Sequence, residues 1–179
     1  MMIKKLSTLV LILSVTMMVN AQDKKPAPSP SSQLKQVVGL TDVTVDYSRP
    51  SMKGRTIFGG LVPYGKVWRT GANARTKITF SDDVTIGGKS LKAGTYAIFT
   101  IPTATSWEVI FYTNHGGGGA PASIDESLVA LRTNAEVNEL PFDVESFLFL
   151  IGNLTNGGAD LQIIWENTAV SIPFSIPTY

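Results

Sequence analysis

The sequence predicts an all-β protein, a single antiparallel β-sandwich of jelly-roll-like type with one long ordered connection over residues 49–74. Three observations carry that expectation. Short segments alternate apolar and polar residues with the period of a half-buried strand. Clusters of Gly, Asn and Pro punctuate them as turns. Helical periodicity is almost absent, so packed sheet must supply the core.

In chain order the first element is "MMIKKLSTLVLILSVTMMVNAQ". Lys4 and Lys5 make a basic start, Leu6 to Val19 carries no charge, and Val19-Asn20-Ala21 offers a cleavage site. This is the pattern of a signal peptide over 1–21, cleaved before Gln22, and it implies export to the periplasm or the extracellular space. The apolar run is shorter than the roughly 18–20 residues of a spanning helix, so no transmembrane segment is expected in the mature chain. Residues 22–33, with "DKKPAPSPSS", are expected as a Pro/Ser-rich linker, and 34–179 as the β-sandwich domain.

Within the domain, "DVTVDYS" sets Val43, Val45 and Tyr47 against Asp42, Thr44 and Asp46, and "TKITFS" repeats the alternation with Ile78 and Phe80. Val84 to Ile86 and Ser90 to Lys92 flank a Gly87-Gly88 turn as a hairpin. "GTYAIFTIP" and "WEVIFYT" read as a second antiparallel pair. Ser123-Ile124-Asp125-Glu126 fits a capping box that would open a turn or two of helix through Leu131, although "SLVALRT" also reads as strand. "SFLFLIGNL", "LQIIWE" and "AVSIPFSI" predict three further strands, with turns at Asn156-Gly157-Gly158 and Asn167-Thr168. The expected core is Ile98, Val109, Ile110, Phe147, Phe149, Ile151, Leu161, Ile163 and Trp165.

Charge is balanced overall and segregated locally. Without Lys4 and Lys5 the chain holds 13 basic and 14 acidic residues, which argues against nucleic acid as a partner. Yet Tyr47 to Ser81 carries seven cations (Arg49, Lys53, Arg55, Lys66, Arg69, Arg75 and Lys77) and no carboxylate. Ala93 to Tyr179 carries nine carboxylates and a single cation, Arg132. Arginine forks suit carboxylates and phosphates, so Arg49, Lys53, Arg55, Trp68, Arg69 and Asn73 form the candidate ligand-binding set. Trp68 and Tyr64 would supply a flat apolar wall. The simpler account of the cations is internal, that partly buried arginines tied to the carboxylates of the C-terminal half and to loop carbonyls pin the connection to the sandwich, with Trp68 as a core plug.

Other chemistry is sparse. There is no cysteine, which excludes disulfides and thiolate metal sites. One histidine, His115, gives zinc too few ligands, and no metal or cofactor is expected. Gly116 to Gly119 lack the Lys-Ser/Thr of a phosphate loop, and no Gly-x-Ser-x-Gly occurs. A hydrolase or isomerase of envelope sugars would need a carboxylate pair, with Asp46 or Glu166 beside an arginine as candidates.

Three motifs together resemble one bacterial family. Tyr-Ser-Arg-Pro through Lys-Gly-Arg at Tyr47–Arg55, Trp-Arg-Thr-Gly-Ala-Asn at Trp68–Asn73 and Gly-Thr-Tyr at Gly94–Tyr96 are similar to the family catalogued as domain of unknown function 2911. The resemblance runs from about Ser32 to the end. Its members are mostly exported proteins of Bacteroidetes and related bacteria, which implies the same location and a β fold but no activity. The chain departs from the family after Tyr112, where "NHGGGGAPAS" stands in place of an aromatic-containing Trp-Gly loop. The functional expectation is an exported, non-enzymatic binding or envelope-associated module for an anionic or sugar group. The alternatives are an envelope carbohydrate hydrolase or isomerase, and a structural module without a ligand that adds an edge strand to a partner.

Overall fold

A computed structural model describes residues 25–177; the leader expected over 1–21 lies outside them. These described residues are all-β, with nine antiparallel strands in one continuous sheet of order β1-β2-β3-β6-β7-β8-β9-β4-β5. The strands are β1 (Ser31–Val38), β2 (Thr41–Ser48), β3 (Lys77–Phe80), β4 (Val84–Ile86), β5 (Lys89–Leu91), β6 (Gly94–Pro102), β7 (Ser106–Tyr112), β8 (Val129–Thr155) and β9 (Gly158–Ser175). The sheet does not close into a barrel, because β1 and β5 remain as its edges. β1 opens inside the stretch expected as linker, since the backbone of Ser31 and Ser32 already pairs with Ser48 and Tyr47.

Sequence patterning explains the layers. In β2 the alternating residues Val43, Val45 and Tyr47 are buried, as are Ile78 and Phe80 of β3. They meet Phe147, Phe149, Ile151, Leu161, Ile163 and Trp165 of β8 and β9 in one cluster. Tyr47, for example, packs edge-on against Phe147 and Phe149, with ring centroids 5.9 and 5.1 Å away. On the far face of β6 and β7 a smaller cluster of Ala97, Phe99, Ile110 and Tyr112 is covered by Ile124, Leu128 and Val67.

What the turn-counting of the sequence mistook is the long hairpin. β8 runs for 27 residues and β9 for 18, so "LQIIWE" and "AVSIPFSI" are one strand and Asn167-Thr168 is not a turn. Instead Glu166 takes φ +54° opposite register breaks at Glu139/Val144 and Val144/Leu148, which bend the ribbon without ending it. The bend folds the hairpin over, so that Ile176 N–H donates to Gly157 O at its own tip (3.0 Å). The helical turns expected through Leu131 reduce to one 3-10 turn, Glu126–Leu128, capped by Asp125 rather than Ser123; β8 begins at Val129, where pairing with β7 wins over helix.

Candidate functional site

The connection from Arg49 to Ala74 plugs one end of the sandwich. Met52, Ile57, Phe58 and Val62 are buried in the main core. Phe58 and Trp68 enter an aromatic cluster with Trp107, Phe147 and Trp165; Phe58 lies 4.8 Å from Trp107, and Trp68 stacks on Trp165 at 6.0 Å with planes 19° apart. Trp68 is therefore a core plug, and its backbone exchanges both hydrogen bonds with Thr100 (2.8 and 2.9 Å).

"WRTGAN" folds as it does for local reasons. Thr70, fully buried at φ +51°, has its carbonyl bound by Thr76 Oγ1 (2.6 Å) and its hydroxyl donating to Thr100 Oγ1 (3.2 Å). Gly71 follows at φ +147°, where an added Cβ would lie 2.9 Å from Thr76 Oγ1 and 3.3 Å from Ser48 O. Asn73, at φ +58°, donates its amide to Ser29 O (3.0 Å) and Ser48 Oγ (3.4 Å), tying down the segment that leads into β1.

The internal ion pairs expected for the cations do not form. Among the described residues the salt bridges are Lys92–Asp83 and those of Arg132 with Glu108 and Glu126. None of the seven cations between Tyr47 and Ser81 lies within 4.0 Å of a described carboxylate. The acidic half holds the connection in another way. Glu166 accepts from the backbone N–H of Ile57 (3.0 Å) and Phe58 (3.2 Å), and Glu145 accepts from that of Lys53 (3.1 Å). The arginines in turn donate to carbonyls. Arg49 Nε reaches Phe147 O (3.0 Å), Arg55 reaches Met52 O (2.8 Å) and Ser51 O (2.7 Å), and Arg75 reaches Asn114 O (2.8 Å). Amides satisfy Glu166 and Glu145, and carbonyls satisfy Arg49, Arg55 and Arg75, while the positive charge of the stretch is left without a counter-charge among the described residues.

That charge collects beside a cleft of about 380 Å³ on the outer side of the plug. Arg55, Lys66 and Arg69 line it, and no carboxylate does. Trp68 and Trp165 meet it from the core, Leu61, Val62, Pro63 and Val67 give it an apolar side, and Ser29 and Ala120 reach it from neighbouring segments. Arg69 Nε is buried without a hydrogen-bond partner among the described residues, a costly state for a donor of a charged group.

Of the six residues expected from sequence, Arg55, Trp68 and Arg69 line this cleft. Arg49, Lys53 and Asn73 do not. Arg49 and Asn73 point their donors at backbone and Ser48, and Lys53 is exposed at a left-handed turn. Tyr64 is not the second wall; its ring packs over Gly59, and it lines a separate depression with Glu139 and Asn167. Trp165 meets the cleft from beneath Trp68 but is only 1% exposed, so it backs the site rather than walling it, and Lys66 completes the charge. Lys66 was visible in the charge count, whereas Trp165, more than ninety residues away, looked like core alone.

Neither carboxylate considered for acid–base chemistry faces the cleft. Asp46 accepts from Gln33 Nε2 (2.6 Å) in a shallow depression it shares with Arg75 and Lys77, and both Glu166 oxygens are taken by amides. His115 is exposed in the glycine-rich loop, whose carbonyls at Asn114 and Gly119 accept from Arg75. No group of three or more His, Cys, Asp or Glu that could hold a metal occurs among the described residues, and no described helix is long and apolar enough to cross a membrane.

Neither a curated protein nor a solved structure matches the chain. A family described as "Protein of unknown function (DUF2911)" matches residues 29–174, a span that holds all nine strands but the last residue of β9 together with the whole cleft-forming connection. The motifs that fold the plug and line the cleft, Tyr47–Arg55 and Trp68–Asn73, fall inside that match, and the chain belongs to the DUF2911 family.

Proposed function

We propose that the protein is an exported, non-enzymatic binding module whose cleft takes the anionic group of a small ligand. The observation that carries this is a cleft lined by Arg55, Lys66 and Arg69 with, among the described residues, no carboxylate in its lining and no ion pair to any of the three. Positive charge held without an internal partner is available to an external one, and guanidinium forks favour carboxylate or phosphate. Export rests on the basic, apolar and small-residue pattern of residues 1–21.

Isothermal titration and thermal shift against a panel of anionic metabolites and envelope sugars, with wild type beside Arg69→Lys, test the proposal. Expected is an anion that raises the wild-type Tm and loses at least tenfold in affinity with Arg69→Lys, while the unliganded Tm stays unchanged. No binding across the panel, together with a large fall in the mutant's Tm, would show that Arg69 serves the fold alone. A neutral sugar that binds equally to both proteins would place recognition elsewhere.

A further inference from the structure

We infer that the cleft selects a ligand with a doubly charged anionic head on a small, flat apolar body. This rests on the cleft being a ligand site and goes on to name the class. The head is a phosphate monoester or a pair of adjacent carboxylates, two sources of the same dianionic chemistry.

Charge sets the head. Three cationic side chains line one cleft, and no described carboxylate is paired with them. A monoanion would compensate one of the three positive charges and leave two on the same cleft. A dianion leaves one. Lys66 and Arg55 are exposed, so the remaining charge stays solvated, whereas Arg69 is half-buried with Nε unpaired among the described residues. Because Arg55 and Lys66 stay in contact with solvent, a dianion held between them and Arg69 keeps part of its own hydration while gaining a second attraction.

Order in the cations strengthens the preference. Arg55 has Nε and one Nη bound to Met52 O and Ser51 O, which fixes its guanidinium plane before any ligand arrives. Trp68 carries Arg69 on a backbone paired with Thr100. Pre-set donors lose little entropy on binding and discriminate by geometry as well as by charge.

Size and lining set the body. About 380 Å³ lies near the lower end of the roughly 300–1,000 Å³ of small-molecule sites. Leu61, Val62, Pro63 and Val67 give an apolar side opposite no acid, fitted to one ring or a short acyl group.

The test is titration calorimetry of the purified protein at about pH 8 with phenyl phosphate, phenyl sulfate, phthalate, benzoate and inorganic phosphate. Phenyl phosphate and phenyl sulfate share body and tetrahedral head and differ in charge, and phthalate and benzoate make the same comparison for carboxylates. Expected is at least tenfold tighter binding of a dianion than of its monoanionic partner, narrowed in Lys66→Gln. Binding of phenyl phosphate should also weaken as pH falls through about 6, where its head takes up a proton. Phenyl phosphate alone showing the preference identifies a phosphate head, and phthalate alone a paired carboxylate. Equal binding of phenyl phosphate and inorganic phosphate would overturn the apolar body. Equal binding of monoanion and dianion would overturn the dianionic head while leaving an anion cleft, and binding of none of the five while another anion binds through Arg69 would overturn the class alone. Failure of every anion would overturn both this inference and the proposed function.

Discussion

Glu166 shows how much one side chain can hold. Its carboxylate receives the N–H groups of Ile57 and Phe58, whose own side chains are buried, and its backbone sits at φ +54°, an unfavourable conformation for a residue with a Cβ. Glu166→Ala leaves two amides without their acceptor, so it is expected to destabilise by about 2–4 kcal/mol, read as a fall in urea midpoint. Arg75 gives a contrasting case. It donates to Asn114 O and Gly119 O and lies 5.5 Å over the Phe99 ring, clamping the glycine-rich loop to the outer face of β6. Arg75→Ala is expected to cost about 1–2 kcal/mol and to speed amide exchange selectively over residues 113–119. Sequence reasoning tied the arginines to carboxylates and loop carbonyls, and only the carbonyl half is found: Arg55 and Arg75 donate to loop carbonyls, while no described carboxylate pairs with them. Composition records that cations and carboxylates are both plentiful, and the partners that decide, main-chain amides and carbonyls, are the same at every residue and leave no compositional trace.

At the scale of elements, hairpins were legible wherever turn chemistry and alternation agreed, as for β4–β5 and β6–β7. The hidden element was the bend in β8–β9, because a bulge inserts residues without turn residues, and Asn167-Thr168 looks the same beside a bulge as in a turn. The folded-over hairpin makes a demand at its tip. A Cβ on Gly158 would lie 2.3 Å from Phe174 O and 3.0 Å from Ser175 Cα, and both are backbone atoms of a paired strand. Gly158→Ala is therefore expected to destabilise by about 1–3 kcal/mol through overpacking, measurable as a lower Tm. The β4–β5 hairpin is closed by charge. Asp83 accepts from Lys92 Nζ (2.7 Å) and Ala93 N–H (2.9 Å), and the Lys92 bond, then the Ala93 bond, hold its carboxyl below the ordinary value of 3.8. A depressed carboxyl stabilises the fold above its unfolded value and stops doing so as pH falls through the folded one. The difference in unfolding midpoint between wild type and Asp83→Asn should thus be present at about pH 7 and vanish toward about pH 2.

For the whole molecule, the core was readable because its residues alternate within each strand, and all nine expected core residues are buried. The cleft was only half readable, since its cations come from one stretch and its second tryptophan from another. The open sheet leaves β1 as an edge strand that pairs, among the described residues, only with β2 and buries its alternate positions partly save for the fully buried Val38, so its amides are expected to exchange faster than those of β6 and β7 in native-state hydrogen exchange. Equal protection of β1 and β6 would indicate that something else covers that edge.

The bent β9 has a further consequence, one of timing. It is the last of the nine described strands to leave the ribosome, yet it lies between β8 and β4, gives Trp165 to the cleft and Glu166 to the connection. The apolar faces of β2, β3, β6 and β7 thus emerge before their covering exists, and the cationic connection emerges before its anchor. Nascent chains that end before Trp165 lack both the tryptophan that meets the cleft and the carboxylate that anchors the connection, and until these emerge the early strands depend on remaining unfolded or being sheltered.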